Sequence, residues 1–370
     1  MAGHATGRIV HAHADSRLTV EPGHRVTREE RERRERESLT PGATWSAGGG
    51  DRVLAEEPDP ERTCFERDRD RIVHSTAFRR LAGKTQVVVY PTDHQRTRLT
   101  HALEVAQVAV AVARGIGLNV ALTEAIALGH DCGHGPGGHA SEDAFGPYVP
   151  GGYDHGPWGA DVVLTGLNLC RETLDGIRNH SWSRPAPATP EGEVVSWADR
   201  VAYCAHDLED ASRAGIVSPD DLPGEVAAVC GRSRREQIHT FITGLVATAQ
   251  ATGEIGLDAA AAEALAGLRA FNYERIYTRP ESVAQSDAVI EVLRGLVEYY
   301  ASHPAALARD RGPREIPSSA TPGDQAALAD PVLAAVTHVA GMTDRFAFEQ
   351  AQRLLGWDVS RLPPGLGRLA

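Results

Sequence analysis

The stretch RLTHALEVAQVAVAVARGIG, Arg98–Gly117, places apolar residues at Leu103, Val105, Ala106, Val108, Ala109 and Val112. That spacing follows the 3.6-residue period and predicts a helix with a wide buried face. Thr100 is the expected N-cap and Gly115 the expected stop, so the helix begins almost at His101. LTEAIALGH, Leu122–His130, predicts a second apolar helix, capped by Thr123, that delivers His130 and Asp131 at its C-terminal end. A third helix is expected over GEVVSWADRVAYCAHDLEDASRAG, Gly192–Gly215, where Val194, Val195, Ala198, Val201, Ala202 and Leu208 supply the apolar positions. On it Asp199, Tyr203, His206 and Asp210 recur at i, i+4, i+7 and i+11. A polar stripe on so apolar a helix calls for an internal partner. VVVY, Val87–Tyr90, is the only short β-like run, and the expected fold class is all-α: a helical bundle with additional C-terminal helices.

Working outward, TREERERRERES (Thr27–Ser38) mixes charge signs at helical spacing and predicts a solvated helix held by i,i+4 pairs. PGATWSAGGGD, Pro41–Asp51, then breaks regular structure, so the folded body is expected to begin near Arg62. Residues 1–60 read as a polar, partly disordered segment carrying that charged helix, with Met1–Ser16 disordered by composition. Residues 61–220 form the expected core, and 221–370 a helical region continuous with it. ARDRGPREIPSSATPGDQ, Ala308–Gln325, interrupts that region as a linker.

At 370 residues the chain can close a core around a deep pocket. A formal net charge of -12 argues against nucleic acid as the main partner and against a membrane footprint, both of which need clustered Lys and Arg. The five cysteines, at 64, 132, 170, 204 and 230, contain no CxxC pair and leave an odd one over, which suits reduced thiols. No stretch approaches roughly 20 consecutive apolar residues, and the N-terminus lacks the order of a signal peptide, so a cytoplasmic protein is expected.

His101, the adjacent His130 and Asp131, and Asp199 converge from the expected helices. Two imidazoles and two carboxylates suit a divalent first-row metal that keeps open positions for water and substrate. The loop that follows, GHDCGHGPGGHASED (Gly129–Asp143), concentrates histidines, carboxylates and glycines. Its glycines would let the backbone approach phosphates and offer N–H donors. Histidine can take or give a proton near neutral pH. Cys132 reads as a small buried apolar residue.

Several blocks in this order resemble the HD-domain phosphohydrolases, whose pattern is H…HD…D, and more closely their deoxyguanosinetriphosphate triphosphohydrolase-like branch. They are RDRDRIVHSTAFRRLAGKTQV (Arg67–Val87), RTRLTHALEVAQVA (Arg96–Ala109), LTEAIALGHDCGHGPGGHASEDA (Leu122–Ala144), ADRVAYCAHDLEDASRAG (Ala198–Gly215) and VAGMTDRFA (Val339–Ala347). The resemblance implies an HD-domain helical bundle with one divalent metal per site, Mn, Fe or Mg, held by His101, His130, Asp131 and Asp199. It implies that His139 and Glu142 activate or orient a water for attack on the α-phosphorus, and that His155 serves the bridging oxygen. Arg98 and His134 match phosphate contacts, Arg200, Tyr203 and Asp207 phosphate and sugar contacts, and Gln86 a residue against the deoxyribose. Arg79 and Arg80 are either phosphate ligands or helix-face charges; Tyr273 and Tyr277 either stack on a base or pack in the core or an interface.

The chain departs from the usual HDLGHTPFGH in having Cys132 for Leu and Gly137 for Phe, and Gly156 where an Asn is common. Those changes bear on substrate preference more than on metal binding. The implied function is hydrolysis of deoxynucleoside triphosphates, dGTP or broader, by a homo-oligomer. The alternatives are an HD phosphohydrolase of nucleoside monophosphates or other nucleotides, and a non-catalytic sensor that binds nucleotide or single-stranded DNA.

Overall fold

The computed structural model describes residues 3–87, 95–311 and 330–363. Among these, regular structure is almost wholly helical: sixteen α-helices, short 3-10 and π segments, and one antiparallel hairpin of β1 (His4–Thr6) and β2 (Ile9–His11). The hairpin lies in the segment expected to be disordered; cross-strand backbone pairing around Gly7 is enough to form it. Of the β-like run VVVY only Val87 falls within the described residues, as do only Ala308–Arg311 of the expected linker.

The charged helix α1 is Arg28–Ser38, capped by Thr27. Its i,i+4 pairs are present, among them Arg28–Glu32 at 2.6 Å and Arg34–Glu30 at 2.7 Å. One face is not solvated, however, because Glu35 accepts from the Ser46 amide at 2.7 Å and Glu32 from the Gly48 amide at 2.8 Å. The Thr44 amide and hydroxyl likewise donate to buried Glu191. Buried carboxylates thus satisfy the backbone donors of a Gly-rich loop, and ordered structure begins well before Arg62. Arg52, fully buried, pairs with Asp68 at 2.5 Å and secures the same loop to α2 (Cys64–His74).

After α3 (Thr76–Arg80) comes α4 (Arg98–Ile116), the first of three central helices. It starts earlier than expected: Thr97 is the N-cap, while the Thr100 hydroxyl accepts from the Thr97 amide at 3.0 Å. It ends at Gly117, whose φ of 75° is left-handed, rather than at Gly115. The second central helix, α5 (Val120–Gly129), is capped by Asn119 instead of Thr123, since the Asn side chain reaches the Ala121 and Leu122 amides. Short α6 (Ala140–Phe145), α7 (His155–Trp158) and α8 (Arg171–Asn179) lead to the third, α9 (Pro190–Arg213), with Thr189 as cap and Pro190 at its first position. Among the described residues α4 alone is long and apolar enough to cross a membrane, but Ala102, Val105, Val108, Ala109 and Val112 are buried in packing against α5 and α9.

Two apolar cores result. The first joins α2, α4, α5, α8 and α9 with α10 (Gly224–Cys230), α11 (Arg234–Thr252) and α12 (Ala259–Asn272). The second joins α6, Tyr153 and Trp158 with α13 (Pro280–Ser302), α14 (Pro304–Arg311), α15 (Pro331–Ala340) and α16 (Asp344–Leu355). The loop between α5 and α6 runs from one core to the other. All five cysteines are buried and free.

Candidate active site

Packing α4, α5 and α9 together brings His101, His130, Asp131 and Asp199 into one cluster. His101 Nε2 lies 3.0 Å from Asp199 Oδ1 and 4.0 Å from Asp131 Oδ2. His130 Nε2 lies 3.4 Å from Asp131 Oδ1 and 3.7 Å from Asp199 Oδ1. His130 Nδ1 donates to the Ala127 carbonyl at 2.7 Å, which leaves the Nε2 lone pair facing the carboxylates. That nitrogen is buried and has no hydrogen-bond partner. A buried unsatisfied nitrogen among carboxylates is costly unless a cation completes it, so this donor set fits a divalent metal.

The electrostatics agree. Burial opposes ionisation of Asp131, yet the Arg98 guanidinium at 2.9 Å, with His130 and His134, holds its carboxyl well below the usual carboxylate range. Burial likewise opposes the charge on Asp199, but the hydrogen bond to His101 and the neighbouring imidazoles of His130 and His180 together hold its carboxyl below the usual range. For His101 burial favours the neutral ring, but Asp199 and Asp131 raise its pKa.

Beside this cluster lies a chain of imidazoles. His134 is buried and stacks on His155 with ring centroids 3.7 Å apart. His155 Nδ1 and backbone amide both reach Glu142 Oε1, at 2.7 and 3.1 Å, and His139 Nδ1 reaches Glu142 Oε2 at 2.9 Å. Despite burial, those two histidines hold the Glu142 carboxyl far below its ordinary range. His139 itself is exposed to 72% at its side chain, the one member of the chain open to solvent.

His180, at the C-terminal end of α8, was not foreseen. Its Nδ1 donates to the Ile177 carbonyl at 2.8 Å, and its Nε2 lies 3.0 Å from His155 Nε2. Burial, with His155 and His130 nearby, pushes its pKa down to about 3. A lone histidine before SWS carries no local sign of such a place.

Of these groups His101, Asp131, His134, His139, His155, His180 and Asp199 border a cavity of about 500 Å³. Gln86, Arg98, His134, Arg200, Tyr203 and Asp207 all line it, as do Tyr273 and Tyr277. Gln86 Oε1 and Arg98 Nε and Nη2 are buried without partners, so donors and an acceptor remain unspent. Tyr203 accepts from Arg269 at 3.0 Å, and Tyr277 donates to Asp207. Arg79 and Arg80 are exposed and do not border the cavity.

The glycine loop corrects one expectation. Its amides are largely used inside the protein: Gly135 donates to Ser141 Oγ at 3.0 Å, Gly138 to the Gly135 carbonyl at 3.3 Å and Gly137 to Asp344 Oδ1 at 2.8 Å. What the loop needs glycine for is space. A Cβ at Gly138, where φ is 64°, would collide with the Arg98 guanidinium, and one at Gly137, where φ is 72°, with Val289 of α13. Val289 therefore occupies the side of the loop where the usual pattern has Phe.

Asp344, the first residue of α16, fastens this loop. Besides the Gly137 amide it accepts from the Thr85 amide at 2.8 Å and hydroxyl at 2.5 Å. Buried Lys84, pushed down to about 8 by burial, donates to the carbonyls of His134 and Ala340 alongside. Asp344→Ala leaves three donors unpaired, two of them on buried Thr85. We expect a loss of about 3 kcal/mol or more in denaturant unfolding, with Asp344→Asn losing clearly less. Equal stability of the Ala variant and the native protein would remove this role.

Asp207 gives a pH test. Burial pushes its pKa up to about 7, against the Tyr277 hydrogen bond that lowers it. The folded state therefore binds a proton that the unfolded chain releases at the ordinary aspartate value, so this group's contribution is fullest at acid pH and is lost as pH rises toward 7. Asp207→Asn, which cannot ionise, should gain Tm relative to the native protein between pH 5 and pH 8. A difference in Tm that stays constant across that range would contradict it.

A helical bundle that gathers the H…HD…D side chains in this way is the arrangement expected of an HD-type hydrolase. Residues 98–204 match the HD domain and residues 255–353 the phosphohydrolase-associated domain. The chain is 40% identical to a deoxyguanosinetriphosphate triphosphohydrolase-like protein of Caldanaerobacter subterraneus subsp. tengcongensis, over 86% of this chain and 93% of that one. Like-named proteins of Desulfatibacillum aliphaticivorans (38%, over 88% of this chain and 97% of that one) and Clostridium perfringens (41%, over 74% and 84%) are similar. The protein belongs to the deoxyguanosinetriphosphate triphosphohydrolase-like family of HD-domain phosphohydrolases.

Proposed function

We propose that the protein hydrolyses deoxynucleoside triphosphates, dGTP or a broader set, to the deoxynucleoside and inorganic triphosphate. The observation that carries this reading is the buried, unpartnered His130 Nε2 facing Asp131 and Asp199 beside a cavity that holds unspent Arg98 donors. His101, His130, Asp131 and Asp199 would hold the cation. When bound, it supplies Lewis acidity toward phosphoryl oxygens, and the imidazole pair favours Mn or Fe over Mg.

The chain's own residues do the rest. Glu142 fixes the His139 ring through Nδ1, leaving Nε2 of that open imidazole to take the proton of the attacking water. Water attacks the α-phosphorus and the bond from that phosphorus to the sugar oxygen breaks. His155, oriented by Glu142, gives the leaving oxygen a proton from Nε2, which must first separate from His180. Arg98, His134 and Arg200 meet phosphate charge, and Gln86 and Asp207 meet the sugar. Homo-oligomerisation belongs to this reading through the family resemblance, and a cytoplasmic setting through the sequence expectation above.

The decisive experiment offers all four deoxynucleoside triphosphates, their ribo counterparts and the monophosphates with Mn²⁺, and identifies the released product. Inorganic triphosphate from deoxynucleotides is expected. Release of single phosphate from monophosphates alone would exclude the proposal.

A further inference from the structure

Trp182 stands in the turn after α8, half exposed at the rim of the cavity, and no sequence pattern marked it. Its indole is gripped from α9. Nε1 donates to the Ser196 carbonyl at 3.1 Å, the ring meets Trp197 edge-on at 4.7 Å between centroids, and Arg200 Cζ lies 3.4 Å from its ring centroid. Ser196, Trp197 and Arg200 share that helix with Asp199.

Arg200 makes no ion pair among the described residues. A guanidinium lying on an indole is held by the ring face, and its N–H groups point outward in its own plane. The stack therefore fixes the plane of Arg200 without using its donors. A fixed fork of free donors matches an anion with several oxygens, such as a phosphate chain, better than an uncharged base edge. Holding the side chain in advance also removes most of the ordering cost that binding would otherwise carry.

We propose that Trp182 is a positioning residue that presets Arg200 for the phosphate chain of the substrate. This rests on the triphosphohydrolase reading above, in which Arg200 meets phosphate. Because the effect is on preorganisation, Trp182→Ala should raise KM about five- to tenfold while kcat falls less than about threefold. Trp182→Phe, which keeps an aromatic face, should recover most of the loss.

The test is a double-mutant cycle of Trp182→Ala and Arg200→Ala, read by KM and kcat and by calorimetric binding of inorganic tripolyphosphate with Mn²⁺. In the Arg200→Ala background, Trp182→Ala should have no further effect on either readout. Additive losses, an unchanged KM in Trp182→Ala, or failure of Trp182→Phe to recover affinity would each overturn the proposal. If native protein hydrolyses no nucleotide but the tripolyphosphate cycle shows coupling, the function reading falls and the Trp182–Arg200 arrangement stands. If native protein hydrolyses deoxynucleotides and the cycle shows no coupling, only this inference falls.

Discussion

Asp131→Ala is expected to lose both bound metal and turnover, with activity down on the order of 10³-fold or more. The carboxylate lies near both His101 and His130 and is the ion-pair partner of Arg98, so its removal subtracts a candidate ligand and strands a guanidinium that is only 2% exposed. An uncompensated buried charge costs about 3–5 kcal/mol, which should appear as a lower unfolding midpoint. Asp131→Asn keeps an acceptor for Arg98 and separates the two effects: fold recovered, metal still lost. The measurements are metal content after gel filtration, unfolding midpoint, and triphosphate release. A stoichiometrically loaded, fully active Asp131→Ala protein would remove the proposed site.

His139→Ala should do the opposite with the metal. Its imidazole is solvent-exposed and touches no member of the ligand cluster, so metal content and Tm should stay near native. Turnover should nonetheless fall about 10²- to 10⁴-fold, the range over which a positioned proton acceptor acts. Glu142 keeps its His155 hydrogen bonds in this variant, so its collapse is not expected to confuse the result. Native-like turnover would show that the proton leaves by another route.

The helices of the centre were legible because their apolar period is uninterrupted. Their starts were less so. The sequence around Thr100 and Thr123 offers acceptable caps, but Asn119, a few residues earlier, captures the free amides of α5 first, and at α4 the chain turns helical after extended Thr97 while the Thr100 hydroxyl accepts the Thr97 amide, so only geometry decides between neighbours. The loop before Arg62 looked like a spacer because composition reports flexibility, while what orders it is Glu191, 147 residues from Thr44. The same holds for the glycine run. Its composition suggested amides aimed at phosphate, yet Asp344, 207 residues beyond Gly137, takes one of them, and Ser141 takes another. His180 and Trp182 were missed for a related reason: each acts through one partner on a different segment, and neither belongs to a spaced pattern.

The fastening of the Gly137 loop by Asp344 also orders events in time. A ribosome that has released α13 but not α16 has already made all four candidate cation donors, and the emerging chain lacks the carboxylate that secures the turn beside them. The turn beside those donors therefore acquires its securing carboxylate only once α16 has been made.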